Sequence, residues 1–164
     1  MDFLFWIDLK NKMGINRLTT LVGPIFNVGQ PLFLYLIKLY LYSPNIWFSN
    51  SITNIFVLAL NLLYLLNMGS MYSTFLSKEK LVTGTSHGHL DWPWIKYSNP
   101  LFYLLLFAVN IFYLTDFKYS FALFSITYLF LFMSARFFSY SIGEMWCFFG
   151  AFIPFFMTFI SYMI

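Results

Sequence analysis

His87, His89 and Asp91 alternate in the stretch GTSHGHLDWPWIKYSNP, residues 84–100. In an extended segment side chains repeat with period two, so all three would project from one face, with Gly88 leaving space between the first two. Imidazole and carboxylate together can hold zinc, or iron in a two-histidine, one-carboxylate set with open positions. A His–Asp pair can also carry general acid–base chemistry. A zinc ion would further need a fourth ligand or a water, and an acceptor for the second nitrogen of each imidazole. Thr85 and Ser86 are the nearest candidates in sequence and are weak ones. Cys147 lies on a different loop, at the start of a helix. His87, His89 and Asp91 are therefore the metal-ligand candidates, and no other cofactor is expected.

The same stretch has a second reading. Trp92 and Trp94 are amphipathic rings suited to a head-group layer, and Pro93 between them bars a helix. Lys96 and Tyr97 add anchors, and Pro100 falls in a first helical turn, where its missing donor costs little. We read residues 84–100 as an interfacial hinge, with the metal site as the alternative.

Such a hinge presupposes a membrane, and composition calls for one. The 164 residues are 60% hydrophobic and 9% charged, where soluble chains average about 25% charged. A mean hydropathy of +0.74 leaves too little polar surface to coat a globule. A net charge of +3 is too small, and too evenly spread, to suggest a nucleic-acid surface. One cysteine allows no internal disulfide.

Charges punctuate the chain at bilayer intervals. Arg17 and Lys38 enclose 20 uncharged residues, Lys38 and Lys78 39, Lys96 and Asp116 19, and Lys118 and Arg136 17; 20 more follow Glu144. A helix crossing hydrocarbon needs roughly 20 residues. The long interval is divided at SPNIWFSNS, where Pro44 ends one helix and Asn50 or Ser51 caps the next. The spacing predicts an all-α polytopic bundle of five transmembrane helices, near 18–42, 52–76, 98–115, 118–136 and 142–163. They form a single membrane domain with one sizeable loop at 77–97. Residues 2–13, with no signal-peptide pattern, form an interfacial segment: Trp6 and the Phe residues face the membrane, Lys10 and Lys12 the head groups. The short TDFK link makes the third and fourth helices an antiparallel hairpin.

Lys10, Lys12, Arg17, Lys78, Lys80, Lys96 and Arg136 fall on the N-terminal side, and Lys38 and Lys118 on the other. This places the N-terminus and the 77–97 loop on the cytosolic side and the C-terminus opposite. Other polar residues in the spans have structural readings. Ser141 to Glu144 fits a capping box, and Arg136 complements the end of the fourth helix. Pro24 and Pro31 share a face and free carbonyls that Asn27 and Gln30 could satisfy, or the break could build a transport site. Asn54, Asn61, Asn67 and Asn110 bond across helices.

RLTTLVGPIFNVGQPLFLYL (17–36), GHLDWPW (88–94) and GEMWCFFGAFIP (143–154) together resemble uncharacterised polytopic proteins encoded by giant, nucleocytoplasmic large DNA viruses. In these a proline-broken helix is followed by a Trp-bearing loop and a W-C-F/W motif opening the last helix. The resemblance implies a viral membrane protein, with further helices upstream of Met1 a property of the group, and it brings no catalytic residues. Composition is shared by a rival class, hydrophobic respiratory-complex subunits encoded in AT-rich protist mitochondrial genomes. The expectation is a non-enzymatic structural or assembly component whose partners are the lipid bilayer and other membrane subunits. A small transporter or channel is the alternative.

Overall fold

The computed structural model describes residues 2–41, 52–114, 117–138, 150 and 152–163. The turn at Pro44, Thr115 and Asp116 of the TDFK link, and Ser141, Glu144 and Cys147 lie outside the described residues. Within them the chain forms seven α-helices: α1 (Asp2–Ile7), α2 (Ile15–Val28), α3 (Gln30–Leu41), α4 (Ile52–Lys78), α5 (Pro100–Leu114), α6 (Phe117–Phe137) and α7 (Ile153–Met163). Two short strands, β1 (Gly84–Ser86) and β2 (His89–Asp91), and a 3₁₀ turn (Ile95–Tyr97) occupy the loop between α4 and α5.

The all-α expectation holds apart from this hairpin, but five spans reduce to fewer by length. α4 and α6 are long and apolar enough to cross a membrane, and α2 with α3 would make a third if the bent pair is one span. At 1.5 Å per residue the 27 residues of α4 reach about 40 Å, while the 15 of α5 reach about 22 Å, short of a ~30 Å hydrocarbon layer. α7 is shorter still among the described residues.

The expected span at 18–42 is two helices that meet at 61°. The break falls at Gly29 and not at a proline. Pro24 is accommodated inside α2, and Pro31 enters the first turn of α3. A Cβ at Gly29 would lie 2.1 Å from the Ile25 carbonyl oxygen, so only glycine fits the corner. Carbonyls around the corner accept from neighbouring helices: Val28 from the Tyr64 hydroxyl (2.8 Å), Leu21 from Tyr72 (3.0 Å) and Pro31 from Asn110 Nδ2 (2.8 Å). Asn110 also exchanges two amide bonds with Asn61, at 3.0 and 2.9 Å. The Gln30 side-chain oxygen Oε1 accepts from the Tyr103 hydroxyl at 2.6 Å. The cross-helix role read for Asn61 and Asn110 is thus observed, and Asn54 joins it by accepting from Tyr113 at 2.7 Å.

α5 and α6 run antiparallel: Ser120 Oγ donates to the Ile111 carbonyl near the turn, and Tyr128 donates to Leu104 farther along. Apolar packing of α3, α4 and α5 centres on Tyr35, Leu39 and Val57.

Two helices, α2 and α6, are inside out. α2 buries Asn16, Thr19 and Thr20 and exposes Leu18, Ile25 and Phe26. α4 buries Asn61 among Val57, Tyr64, Met71 and Phe75, and turns Leu62, Leu63, Leu65 and Leu66 outward. α6 buries Ser120, Thr127 and Ser134 and exposes Phe121, Leu129 and Phe132. In water this arrangement would expose a large apolar surface while the small polar groups sit inside. Against lipid it is favourable, since small and polar residues belong at helix contacts there.

Candidate functional site

The loop after α4 folds over the start of α2, and both were joined by residues far apart in sequence. Asn16 is fully buried and grips the peptide units at Thr83: its Nδ2 donates to the Thr83 carbonyl (2.9 Å) and its Oδ1 accepts from the Thr83 amide (2.8 Å). Thr20 Oγ1 donates to Asn16 Oδ1 at 3.1 Å and lies 2.9 Å from Thr83 Oγ1, so three buried polar side chains satisfy one another.

Beneath this knot sits an aromatic core of Phe5, Phe75, Trp92 and Trp94, with Met71 and Leu90. The two indoles stack at 5.7 Å, and Phe75 meets Trp94 edge-on at 6.2 Å. Trp94 has no exposure at all, and its ring presses on α2, where a Cβ at Gly23 would come within 2.7 Å of Cη2. The reading of Trp92 and Trp94 as head-group anchors is therefore corrected. Both rings are buried in protein, and neither indole nitrogen meets an acceptor among the described residues. Pro93 places two successive large rings on the inner side of the loop, and Gly23 supplies the slot.

The metal candidates are arranged differently from an extended run. β1 and β2 pair antiparallel, with Ser86 opposite His89 and Gly84 opposite Asp91. His87 (φ 52°) and Gly88 (φ 79°) form the two-residue turn, both in the left-handed region that matches hairpin twist. Histidine tolerates that region better than most residues, which explains why the His-Gly pair stands there. His87 thus occupies the exposed tip, while His89 and Asp91 share one face of β2 and Leu90 turns into the core. Among the described residues no three His, Cys, Asp or Glu side chains gather as a metal would require, these three included. His87→Ala with His89→Ala is expected to leave metal content and folding unchanged, as metal analysis and thermal unfolding would show. Gly88→Val, forced to φ 79°, should loosen the hairpin.

Two carboxylates finish this end of the molecule. Asp8 is buried at the start of α2, where Gly14 leaves the first turn without a side-chain cap. It accepts from the amides of Met13 (3.2 Å to each oxygen), Ile15 (2.9 Å) and Asn16 (3.4 Å). Burial pushes its pKa up, but hydrogen bonds from Met13, Asn16, Lys12 and Ile15 outweigh that and hold it below the ordinary carboxylate value. A depressed carboxylate stabilises the fold above its unfolded pKa of about 4 and loses that contribution as pH falls through the lower folded value. Acidification below about pH 4 should therefore release the N-terminal arm. Faster proteolysis after Lys10 and Lys12 would reveal it, and Asp8→Ala should show the same fast cleavage already at pH 7. Glu79 accepts from the Tyr97 hydroxyl (2.9 Å) and pairs with Lys96 (3.2 Å). These two bonds, Tyr97 first, lower the Glu79 pKa, and Glu79 raises that of Lys96.

The basic residues segregate by end. Lys10, Lys12, Arg17, Lys78, Lys80 and Lys96 are exposed around the loop and N-terminal arm, which the Phe5–Phe75–Trp94 contacts hold together. Lys38 lies over the Tyr113 ring, 5.5 Å from its centroid, beside the first turns of α4 at the opposite end. Arg136 is exposed in the last turn of α6 against the Phe137 ring, as its helix-end role requires.

Sequence reasoning singled out Trp92, Trp94, Asn61 and Asn110, but missed Asn16, Thr20, Thr83, Asp8 and Gly23. The signal available for Asp8 was an acid a few residues ahead of a helix start; the Asn16–Thr83 clasp involves a backbone partner and has no spacing signature. No known protein family, curated protein or solved structure matches the chain.

Proposed function

We propose that the chain is a multi-pass membrane protein that acts through packing, a non-enzymatic structural or assembly component of a viral or host-derived membrane. The observation that carries this reading is the inverted distribution of side chains on α2 and α6, polar groups inward and Phe and Leu outward. The viral assignment rests on the three resembling stretches. Fractionation tests it: the protein should co-purify with virion or virus-factory membranes, and recovery inside a respiratory complex would overturn it.

In this reading α2–α3, α4, α5, α6 and α7 cross the bilayer, with the N-terminus and the 77–97 loop cytosolic. The segregation of basic residues between the two ends supports that orientation. After replacement of Cys147, cysteines introduced at Thr85 and Phe117 should label from opposite sides of sealed vesicles. Labelling of both from one side would refute the topology.

The 61° break at Gly29 favours a second reading as a small transporter or channel, because interrupted helices build midplane sites. Against it, side chains from α4 and α5 occupy the carbonyls of Leu21, Val28 and Pro31. Solute flux in proteoliposomes, abolished by Asn110→Leu, would favour transport.

A further inference from the structure

α1 has two unlike faces. Phe5 is buried in the aromatic core and Asp8 just beyond it caps α2, while Phe3 (73% exposed), Leu4, Trp6 and Ile7 all face outward. Met13 and Leu18 continue the exposed apolar surface, and Lys10, Lys12 and Arg17 interleave with it, all exposed. Lys78 and Lys80, at the end of α4, belong to the same end of the molecule.

Two of the described acids at this end are engaged elsewhere, and Asp91 stands exposed on β2, where it acts on Lys96. Asp8 is turned inward onto backbone amides, and Glu79 is taken by Lys96 and Tyr97. Exposed large apolar groups interleaved with cations that outnumber the acids around them are what an anionic bilayer surface binds: rings and aliphatic chains enter the head-group boundary, and ammonium and guanidinium groups meet phosphate and carboxylate.

We propose that Phe3, Leu4, Trp6 and Ile7 with Lys10, Lys12 and Arg17 form a docking surface for anionic phospholipid headgroups. It rests on the membrane reading above and adds the lipid class and the residues that select it. Buried Phe5 and Asp8 hold this arm in place from the protein side, so it meets the leaflet as a preformed surface.

The full chain, reconstituted in phosphatidylcholine vesicles, is probed with trace spin-labelled phosphatidylserine or phosphatidylcholine. The protein-restricted fraction should favour phosphatidylserine by roughly three-fold or more, and 0.5 M salt should weaken the preference. Lys10→Gln/Lys12→Gln/Arg17→Gln should bring the ratio close to one, whereas Lys118→Gln at the other end should leave it unchanged. No preference in the wild type, an unchanged ratio in the triple variant, or an equal loss with Lys118→Gln would overturn the proposal. Resistance to alkaline carbonate separates the two readings: extraction from the vesicles refutes membrane insertion itself, while retention without lipid preference refutes only the docking surface.

Discussion

Trp94→Ala destabilises the protein by about 3–5 kcal/mol, the cost of emptying a fully buried indole site in a packed core. The ring contacts Phe5 and Phe75, stacks on Trp92, and fills the space that Gly23 leaves open. Its removal unties the arm, the loop and α2 at once, so local collapse cannot close the cavity. The reciprocal change is informative. Gly23→Ala puts a methyl 2.7 Å from Trp94 Cη2 and should cost about 1–3 kcal/mol through overpacking. Combining Gly23→Ala with Trp94→Phe should cost less than the sum of the two, because the smaller ring makes room for the methyl. Thermal unfolding of the four proteins in one detergent measures the coupling; strict additivity would show that the two residues do not share a contact.

Asn16→Leu carries the second large effect. It leaves the Thr83 carbonyl without its partner and takes away one of the two acceptors of the Thr83 amide, which keeps Thr20 Oγ1 at 3.0 Å. A buried polar group left unsatisfied costs about 1–3 kcal/mol, and a loss in that range is expected. Asn16→Asp keeps the acceptor for the Thr83 amide but sets a buried carboxylate oxygen against the Thr83 carbonyl, so it should loosen the loop as well. Protease cleavage within residues 79–83 would reveal the freed loop. Wild-type resistance in Asn16→Leu would mean that the aromatic core alone holds the loop.

How much of this was legible beforehand depends on how local the cause is. The end of α4 and the bounds of α6 followed from charges flanking apolar runs, and the start of α4 from the turn residues at 43–51, because these causes act residue by residue. Pro24 and Pro31 flagged a weakness in the first long helix, yet the corner lies at Gly29, where close approach to the Ile25 carbonyl decides the matter. The alternation of His87, His89 and Asp91 suggested one extended face, but Gly88 admits a left-handed turn and sends His87 to the tip. Trp92 and Trp94 were marked correctly as the residues that fix the loop, and wrongly as facing head groups. A ring with a polar edge reads the same in either setting, and the partner that decides is a glycine on another helix. Asn16 and Thr83 could not be paired from sequence, since the amide side chain recognises a peptide unit that every residue possesses.

The clasp between Asn16 and Thr83 spans 67 residues, and that distance along the chain is also an interval of time. At a synthesis rate of about 5–20 residues per second, roughly 3 to 13 s separate the two residues leaving the ribosome. Throughout that interval α2 has emerged with Asn16 and Thr20 on one side and without Thr83 to receive them. Until then those groups are met by water or by other molecules. This arrangement is complete only once Trp94 has been made, so the later loop completes the earlier helix.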